Sequence, residues 1–92
     1  MIDRGSVAAL IEQEETAGRR VGAILITVAI PSTANRRIVA LGDDPSRYAA
    51  ALYAALHQLD DDAGVDLIVV ERPPEGFEWY GITDRLIRAA HA

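Results

Sequence analysis

The sequence predicts one α/β domain in which helices and buried strands follow the order α-β-β-α-β-α. Helices are expected to flank a small, mainly parallel sheet. Three observations carry this prediction. Nearly continuous apolar runs of strand length occur at residues 20–29 and 65–71, an amphipathic helical pattern lies between them, and a second such pattern follows a Pro/Gly loop at residues 72–76. Ninety-two residues suit a single domain spanning residues 1–92.

The chain opens with a predicted helix over residues 6–17. Its apolar residues are spaced to form one helical face. The Ser6 hydroxyl can accept a hydrogen bond from a free first-turn N–H. Gly18 suits a left-handed stop just beyond the helix end.

Two strands are predicted next. Residues 20–29 are rich in β-branched side chains, which is typical of a strand covered on both faces. Pro31 and Asn35 mark a break before a shorter strand at residues 37–41. The link is only about seven residues, whereas parallel strands normally need a crossover of about a dozen or more. The pair is therefore either antiparallel or parallel across a cramped turn, and the sequence leaves both open.

The clearest helix start is Asp44-Pro45. The Asp44 carboxylate can cap free N–H groups, and Pro45 suits the first helical position. This helix is predicted to end around residues 60–64 and to be followed by a buried strand at residues 65–71. Its buried stripe comprises Tyr48, Leu52, Ala55, Leu56 and Leu59.

A last helix is predicted from about Trp79 to His91, after the loop at residues 72–76. Its buried side comprises Trp79, Ile82, Leu86 and Ala89 or Ala90. The sum of these elements is a Rossmann-like layered domain.

Composition excludes several classes of protein. The net charge is −5 and the nine basic residues are scattered, so direct nucleic-acid binding is not expected. No cysteine is present, which excludes disulfides and thiolate metal sites. No apolar run approaches the roughly 20 residues of a membrane span. No secretory signal is evident, so the sequence predicts a cytoplasmic protein that does not bind membranes.

Catalytic, metal and cofactor sites are not predicted. His57 has no nucleophile to pair with, since neither a cysteine nor a serine on a strand-to-helix elbow is present. Residues 60–62 are three aspartates without the spacing of a calcium loop, and they are expected to end the helix or remain solvated. No glycine-rich phosphate loop occurs, and Asp43 and Asp44 would compete with any anion at the second helix.

The segment with the most potential for binding a partner is the start of the last helix. Trp79 and Tyr80 are large aromatic residues of the kind that anchor either a core or an interface, with the core favoured in a small domain. A helix start is indicated at Thr83-Asp84. Arg85 lies beside the buried face, with Glu78 or acids near Asp84 as candidate ion-pair partners. The candidate interface is therefore Trp79, Tyr80, Asp84 and Arg85.

The order and spacing of several segments resemble the C-terminal domain of long-form (YwlC-type) threonylcarbamoyl-AMP synthases. Residues 49–60, AAALYAALHQLD, stand where the family has a helix of the form A-R-N-L-F-A-A-L-R-E-L-D. Residues 64–68, GVDLI, match its G-V-D-x-I, and residues 81–90, GITDRLIRAA, match its A-I-x-D/N-R-L-x-x-A-A. Residues 18–22, GRRVG, resemble its G-x-R/K-V-G strand start.

The chain departs from the family pattern at three places. Ala50, Ala51 and His57 replace polar residues of the family helix, so the contacts of those polar groups are not carried over. The family's second glycine before the last helix is replaced around Trp79, with one extra residue in the turn. The family domain also follows a linker and an additional first strand, whereas this chain is expected to begin directly at the next helix.

The resemblance implies a non-catalytic accessory domain that acts through protein–protein contact. In the family, a YrdC-like domain condenses threonine, bicarbonate and ATP for a tRNA modification, and the C-terminal domain covers or gates the active site. The implied partner is a YrdC-like synthase domain bound in trans, or a second copy of this chain. A sheet lacking one strand leaves an unpaired edge through which either could bind.

Two alternatives remain open. One is a self-associating scaffold outside tRNA modification, which the lost polar helix positions and the absent linker favour. The other is a small nucleotide-binding protein, although the sequence contains no acid/base pair, metal cluster or phosphate loop that would support it.

Overall fold

The computed structural model describes residues 1–33 and 36–90, the last two without their side chains. The elements are α1 (Val7–Thr16), β1 (Val21–Leu25), β2 (Arg36–Ala40), α2 (Pro45–Asp60), β3 (Leu67–Val70) and α3 (Phe77–Ala90). The strands form an all-parallel sheet in the order β2-β1-β3. The predicted element order and the parallel sheet are confirmed. None of the described helices has the length and apolar character needed to cross a membrane.

The first two strands, whose relative direction the sequence left open, are parallel, with Val21 opposite Arg36. The predicted strand end at residue 29 is wrong, because β1 ends at Leu25. Beyond it, the backbone N–H groups of residues 26–28 bind a carboxylate instead of a neighbouring strand. The connection therefore spans residues 26–35 and is less cramped than expected. Asn35 lies outside the described residues.

The sheet is covered on both faces, with β1 at its centre and fully buried. Since successive side chains of a strand point to opposite faces, β1 contributes to both cores. The core under α1 comprises Val7, Ile11, Val21, Ala23, Leu25 and Val69. The core under α2 and α3 comprises Ile24, Ile26, Tyr48, Leu52, Ala55, Leu59, Trp79, Ile82 and Leu86. The predicted buried residue Leu56 is only partly buried and packs against this second core.

Close packing of α2 on β1 depends on Gly22. A Cβ atom at that position would lie 3.0 Å from Leu59 Cδ2 and 3.1 Å from Val65 Cγ1. Contacts this short require the neighbours to move. The glycine that the sequence places inside a strand therefore allows the helix to approach the sheet.

The predicted start of α2 is confirmed in atomic detail. The Asp44 carboxylate accepts hydrogen bonds from the N–H groups of Ser46 (2.9 Å) and Arg47 (3.2 Å). The predicted cap of α1 is wrong, because the Ser6 side chain makes no capping hydrogen bond. A 3₁₀ turn, Arg4–Ser6, leads into α1 instead. The predicted stop is confirmed, since Gly18 has a φ of 89°.

The last helix starts earlier than predicted, at Phe77 rather than Trp79, and Thr83-Asp84 lie inside it. Burial of Trp79, Ile82 and Leu86 is confirmed. The predicted end at His91 and the burial of Ala89 or Ala90 fall outside the described residues and side chains.

Residues ahead of α1 extend the sheet. The Ile2 N–H donates to the Val70 carbonyl (2.9 Å), and the Arg72 N–H donates to the Ile2 carbonyl (2.7 Å). Ile2 thus forms a parallel bridge with Glu71, at the outer edge of β3. The expectation that the chain begins directly at a helix is therefore incomplete, since Ile2 pairs with the sheet before α1 begins.

Candidate interaction surface and the Glu71 carboxylate

An exposed apolar stripe runs along the outer side of α3. Phe77 is 96% exposed, Tyr80 78% and Ile87 45%. With Asp84 between them, these residues are spaced three, four and three positions apart, which places them on one face of a helix. We call Phe77, Tyr80, Asp84 and Ile87 the α3 stripe. Exposed aromatic side chains grouped in this way are typical of a binding surface.

The structure separates the four residues of the predicted interface. Tyr80 and Asp84 lie on the α3 stripe. Trp79 is only 4% exposed and packs edge-to-face on Tyr48, with ring centroids 5.2 Å apart. Arg85 lines a shallow depression with Pro45, on the side of α3 that faces the start of α2. An interface role for the four residues stays a prediction, and Trp79 would contribute to it by positioning α3.

Ion pairs on α3 differ from those considered from the sequence. Asp84 pairs with Arg88, one turn further along the helix, at 3.2 Å. Arg85 makes no ion pair with any residue in the described part of the chain, so its guanidinium is available to a partner.

A second, smaller aromatic group lies on α2. The exposed His57 ring packs edge-to-face against Tyr53, with centroids 4.4 Å apart. Tyr53 is 72% exposed. His57 therefore lies at the surface.

The acidic run at the end of α2 makes local contacts. Asp62 accepts a hydrogen bond from the Gly64 N–H (2.7 Å) and pairs with Arg37 (3.3 Å). Among residues 1–33 and 36–90, no three carboxylate or imidazole groups converge as a metal site would require. At the other end of α2, the first-turn N–H groups are occupied by the Asp44 carboxylate.

One carboxylate in the described part of the chain is buried, and sequence reasoning missed it. Glu71 follows β3 directly and is 1% exposed. Its carboxylate accepts hydrogen bonds from the N–H groups of Ile26 (2.8 Å), Thr27 (3.1 Å) and Val28 (3.1 Å) and from the Thr27 hydroxyl (2.9 Å). Burial alone would raise the pKa of Glu71. These donors outweigh it, so the pKa lies below its ordinary value.

The position of Glu71 explains what it does. In open parallel sheets, ligands bind beyond the carboxyl ends of the strands. Here the backbone N–H groups that follow β1 at that end are filled by the protein's own carboxylate. The group thus fastens the loop after β1 to the end of β3. The signal in the sequence was a single acidic residue ending an apolar run, 65–71.

Next to this site lies a buried hydroxyl. The Tyr48 hydroxyl makes no hydrogen bond with any described residue. Burial, with a smaller contribution from the charge of Glu71, raises the pKa of Tyr48 to about 12. The Tyr48 ring therefore stabilises the core by packing, whereas burial of its hydroxyl costs desolvation energy.

Tyr48→Phe is accordingly expected to raise the free energy of unfolding by about 1 kcal/mol, since an unpaired buried polar group costs about 1–3 kcal/mol. Urea unfolding measures the change. The matched control is Tyr53→Phe, where the hydroxyl belongs to an exposed residue and the change should stay within about 0.5 kcal/mol. A loss of stability in Tyr48→Phe would show that the hydroxyl has a partner.

Comparison with protein families found one match. The family model described as threonylcarbamoyl-AMP synthase, C-terminal domain, matches residues 2–91. Comparisons with curated proteins and with solved structures found no match. The matched range covers every helix and strand of the fold, so the similarity concerns the whole domain.

Proposed function

The chain belongs to the family of threonylcarbamoyl-AMP synthase C-terminal domains, and we propose that it is an accessory domain that binds a YrdC-like synthase domain in trans. In this role it modulates how that domain closes over nucleotide and substrates. The family is named for one part of a synthase, which is why we take another part of that enzyme as the partner. The proposal assigns the chemical steps to the partner and none to this chain.

The observation that carries this proposal is the α3 stripe. Phe77 and Tyr80 place two aromatic rings in solvent, one turn apart. Aromatic residues bury large areas on binding and often dominate the energy of an interface. The ion pair of Asp84 with Arg88 adds polar groups to this surface.

The electrostatics of the fold support the same role. Glu71, the buried carboxylate, is engaged by four donors from the loop after β1. A general base needs a free lone pair directed at a substrate proton. Since the charge of Glu71 is directed at the protein's own backbone, its function is to hold the fold.

The double variant Phe77→Ala/Tyr80→Ala is expected to weaken binding to the YrdC-like protein of the same genome by at least about tenfold, the effect of removing interface anchors. Its free energy of unfolding should change by less than about 0.5 kcal/mol, because both side chains are exposed. Calorimetry and pull-down measure binding, and an ATP-dependent synthase assay measures the functional effect. The matched control is Tyr53→Ala, an exposed aromatic residue on α2, which should bind as the parent does.

Two results would contradict the proposal. Absence of both binding and any change in synthase rate on adding the parent chain would reject it. A stable oligomer that is indifferent to the synthase would instead favour a self-associating scaffold, and light scattering distinguishes the two.

A further inference from the structure

An apolar groove of about 350 Å³ runs along the outer edge of β3. Every residue that lines it is apolar. Leu10 of α1 forms one wall, Leu56 of α2 and Leu86 of α3 form the other, and Met1 and Ile2 close one end. The groove therefore lies in the plane of the sheet, between its two helical layers, where a further strand would lie.

The backbone of β3 offers hydrogen bonds to this groove. The N–H groups of Leu67 and Glu71 donate toward β1, to the carbonyls of Arg20 (3.3 Å) and Ile24 (3.0 Å). Because alternate residues of a strand direct their N–H and C=O groups to opposite sides, Ile68 and Val70 face outward. Ile2 engages the Val70 carbonyl. The N–H and C=O of Ile68 and the N–H of Val70 remain directed into the groove.

The opposite edge of the sheet is partly covered. Along β2, the Arg36 N–H donates to the Thr33 carbonyl (3.3 Å) and the Ile38 N–H donates to the Ser32 hydroxyl (3.2 Å). The loop ahead of β2 thus covers two outward donors of that strand. Natural sheets commonly protect exposed edges in this way. The contrast identifies β3 as the edge at which strand addition can occur.

We propose that this groove binds an extended apolar segment of a partner polypeptide, which adds a fourth strand parallel to β3. The bridge of Ile2 with Glu71 shows that this edge accepts a segment parallel to β3, and the proposed strand has the same direction. The segment is apolar on both faces, since helices cover both sides of the groove. Pairing along the part of β3 that Ile2 leaves open requires about three residues, or roughly 10 Å of extended chain.

A second copy of the chain fits this edge less well. Two copies related by a twofold axis pair identical edges antiparallel. Met1 and Ile2 already occupy the far end of β3, so at most Leu67–Val69 of each copy would pair. Two chains of net charge −5 also repel each other. The inference rests on the proposed function only in taking the strand from another polypeptide.

The first experiment tests the groove without a partner. Val-Ile-Val-Ile is added directly ahead of Met1, so that the new residues continue the line of Ile2 along β3. Hydrogen exchange is followed by NMR. We expect exchange of the Ile68 and Val70 amides to slow at least tenfold, with a rise in Tm, whereas an added Gly-Ser-Gly-Ser leaves both unchanged. Equal exchange in the two extended chains would overturn the proposal.

The second experiment uses the full chain and the YrdC-like protein. Leu10→Asp places a charge in the groove wall, and Ala9→Asp places the same charge on the exposed neighbouring position of α1. Leu56→Gln alters the opposite wall. Circular dichroism and Tm confirm that each variant is folded. We expect both groove variants to lose binding by at least tenfold and Ala9→Asp to retain it.

The outcomes separate this inference from the proposed function. Equal binding by Leu10→Asp, Leu56→Gln and Ala9→Asp would overturn the groove as the docking site and leave the proposed function standing. Absence of binding by the parent chain, with slowed exchange in the Val-Ile-Val-Ile extension, would overturn the partner and leave a groove that accepts a strand. Slowed exchange of Ile68 and Val70 in the parent on adding the synthase supports both.

Discussion

Glu71→Ala is expected to lower the free energy of unfolding by about 2–3 kcal/mol. The change removes an acceptor that serves the N–H groups of Ile26, Thr27 and Val28. A buried donor left without a partner costs about 1–3 kcal/mol, and of these three residues Ile26 is buried and Val28 half-buried. The measurement is urea unfolding at pH 7, where a small domain has little stability to lose.

Three further variants separate the charge from the shape. Glu71→Gln keeps the volume and one acceptor oxygen, so about half of the loss is expected, roughly 1–2 kcal/mol. Glu71→Asp shortens the side chain by one methylene and should fall in the same range, because the carboxylate no longer reaches all three N–H groups. Glu75→Ala is the control, since that acid is exposed in the following loop. Equal stability of Glu71→Ala and Glu75→Ala would show that the buried carboxylate contributes nothing.

The Glu71 carboxylate also makes the stability of the protein depend on pH. The pKa of Glu71 is lower in the folded state than in the unfolded state. Its contribution to the free energy of unfolding is therefore fully present above the unfolded-state pKa of about 4.3, and it is lost as the pH falls through the lower folded-state pKa. Asp66 acts in the same direction. Hydrogen bonds from Arg20 lower the pKa of Asp66, and the bond from the Arg20 backbone N–H has the largest effect. The stability difference between the parent and Glu71→Gln should therefore shrink below about pH 4. A constant difference down to pH 3 would contradict this assignment.

Much of the fold was predictable because its elements rest on local rules. The spacing of apolar residues in α2, the carboxylate at Asp44 and the left-handed Gly18 each determine a boundary through neighbouring atoms. The end of β1 was not predictable in this way. Ile26 and Val28 have the apolar side chains of a strand, yet their N–H groups bind a carboxylate more than 40 positions away along the chain. Composition and periodicity do not report such a long-range contact.

The predicted interface shows a different limit of prediction from the sequence. Neighbours on a helix point about 100° apart, because each turn contains about 3.6 residues. The sequence placed Trp79 on the buried side of the last helix and also named it, with Tyr80, in the candidate interface. Since α3 begins at Phe77, Trp79 points inward and Tyr80 outward. Phe77 was absent from the predicted interface because the predicted helix began only at about Trp79. An earlier helix start would have revealed the spacing of the α3 stripe.

The substitution Trp79→Ala is expected to destabilise the domain by about 3–5 kcal/mol, the range for removing a large aromatic side chain from a core. The cavity would open beside Tyr48, whose ring packs edge-to-face on Trp79. Tyr80→Ala is the matched control, because it removes the adjacent aromatic residue from the exposed side of the same helix. Its cost should stay below about 0.5 kcal/mol. Urea unfolding of the two variants gives the comparison.

Binding should respond in the opposite order, provided that the chain is folded. Trp79→Phe keeps an aromatic ring in the core, so it should retain most of the stability and full affinity for the YrdC-like protein. Tyr80→Ala should keep the stability and lose affinity, since its ring lies on the α3 stripe. A folded Trp79→Phe that binds more weakly than Tyr80→Ala would place Trp79 at the interface and reverse the assignment. The two neighbouring rings would otherwise divide their roles, one holding α3 on the sheet and the other meeting the partner.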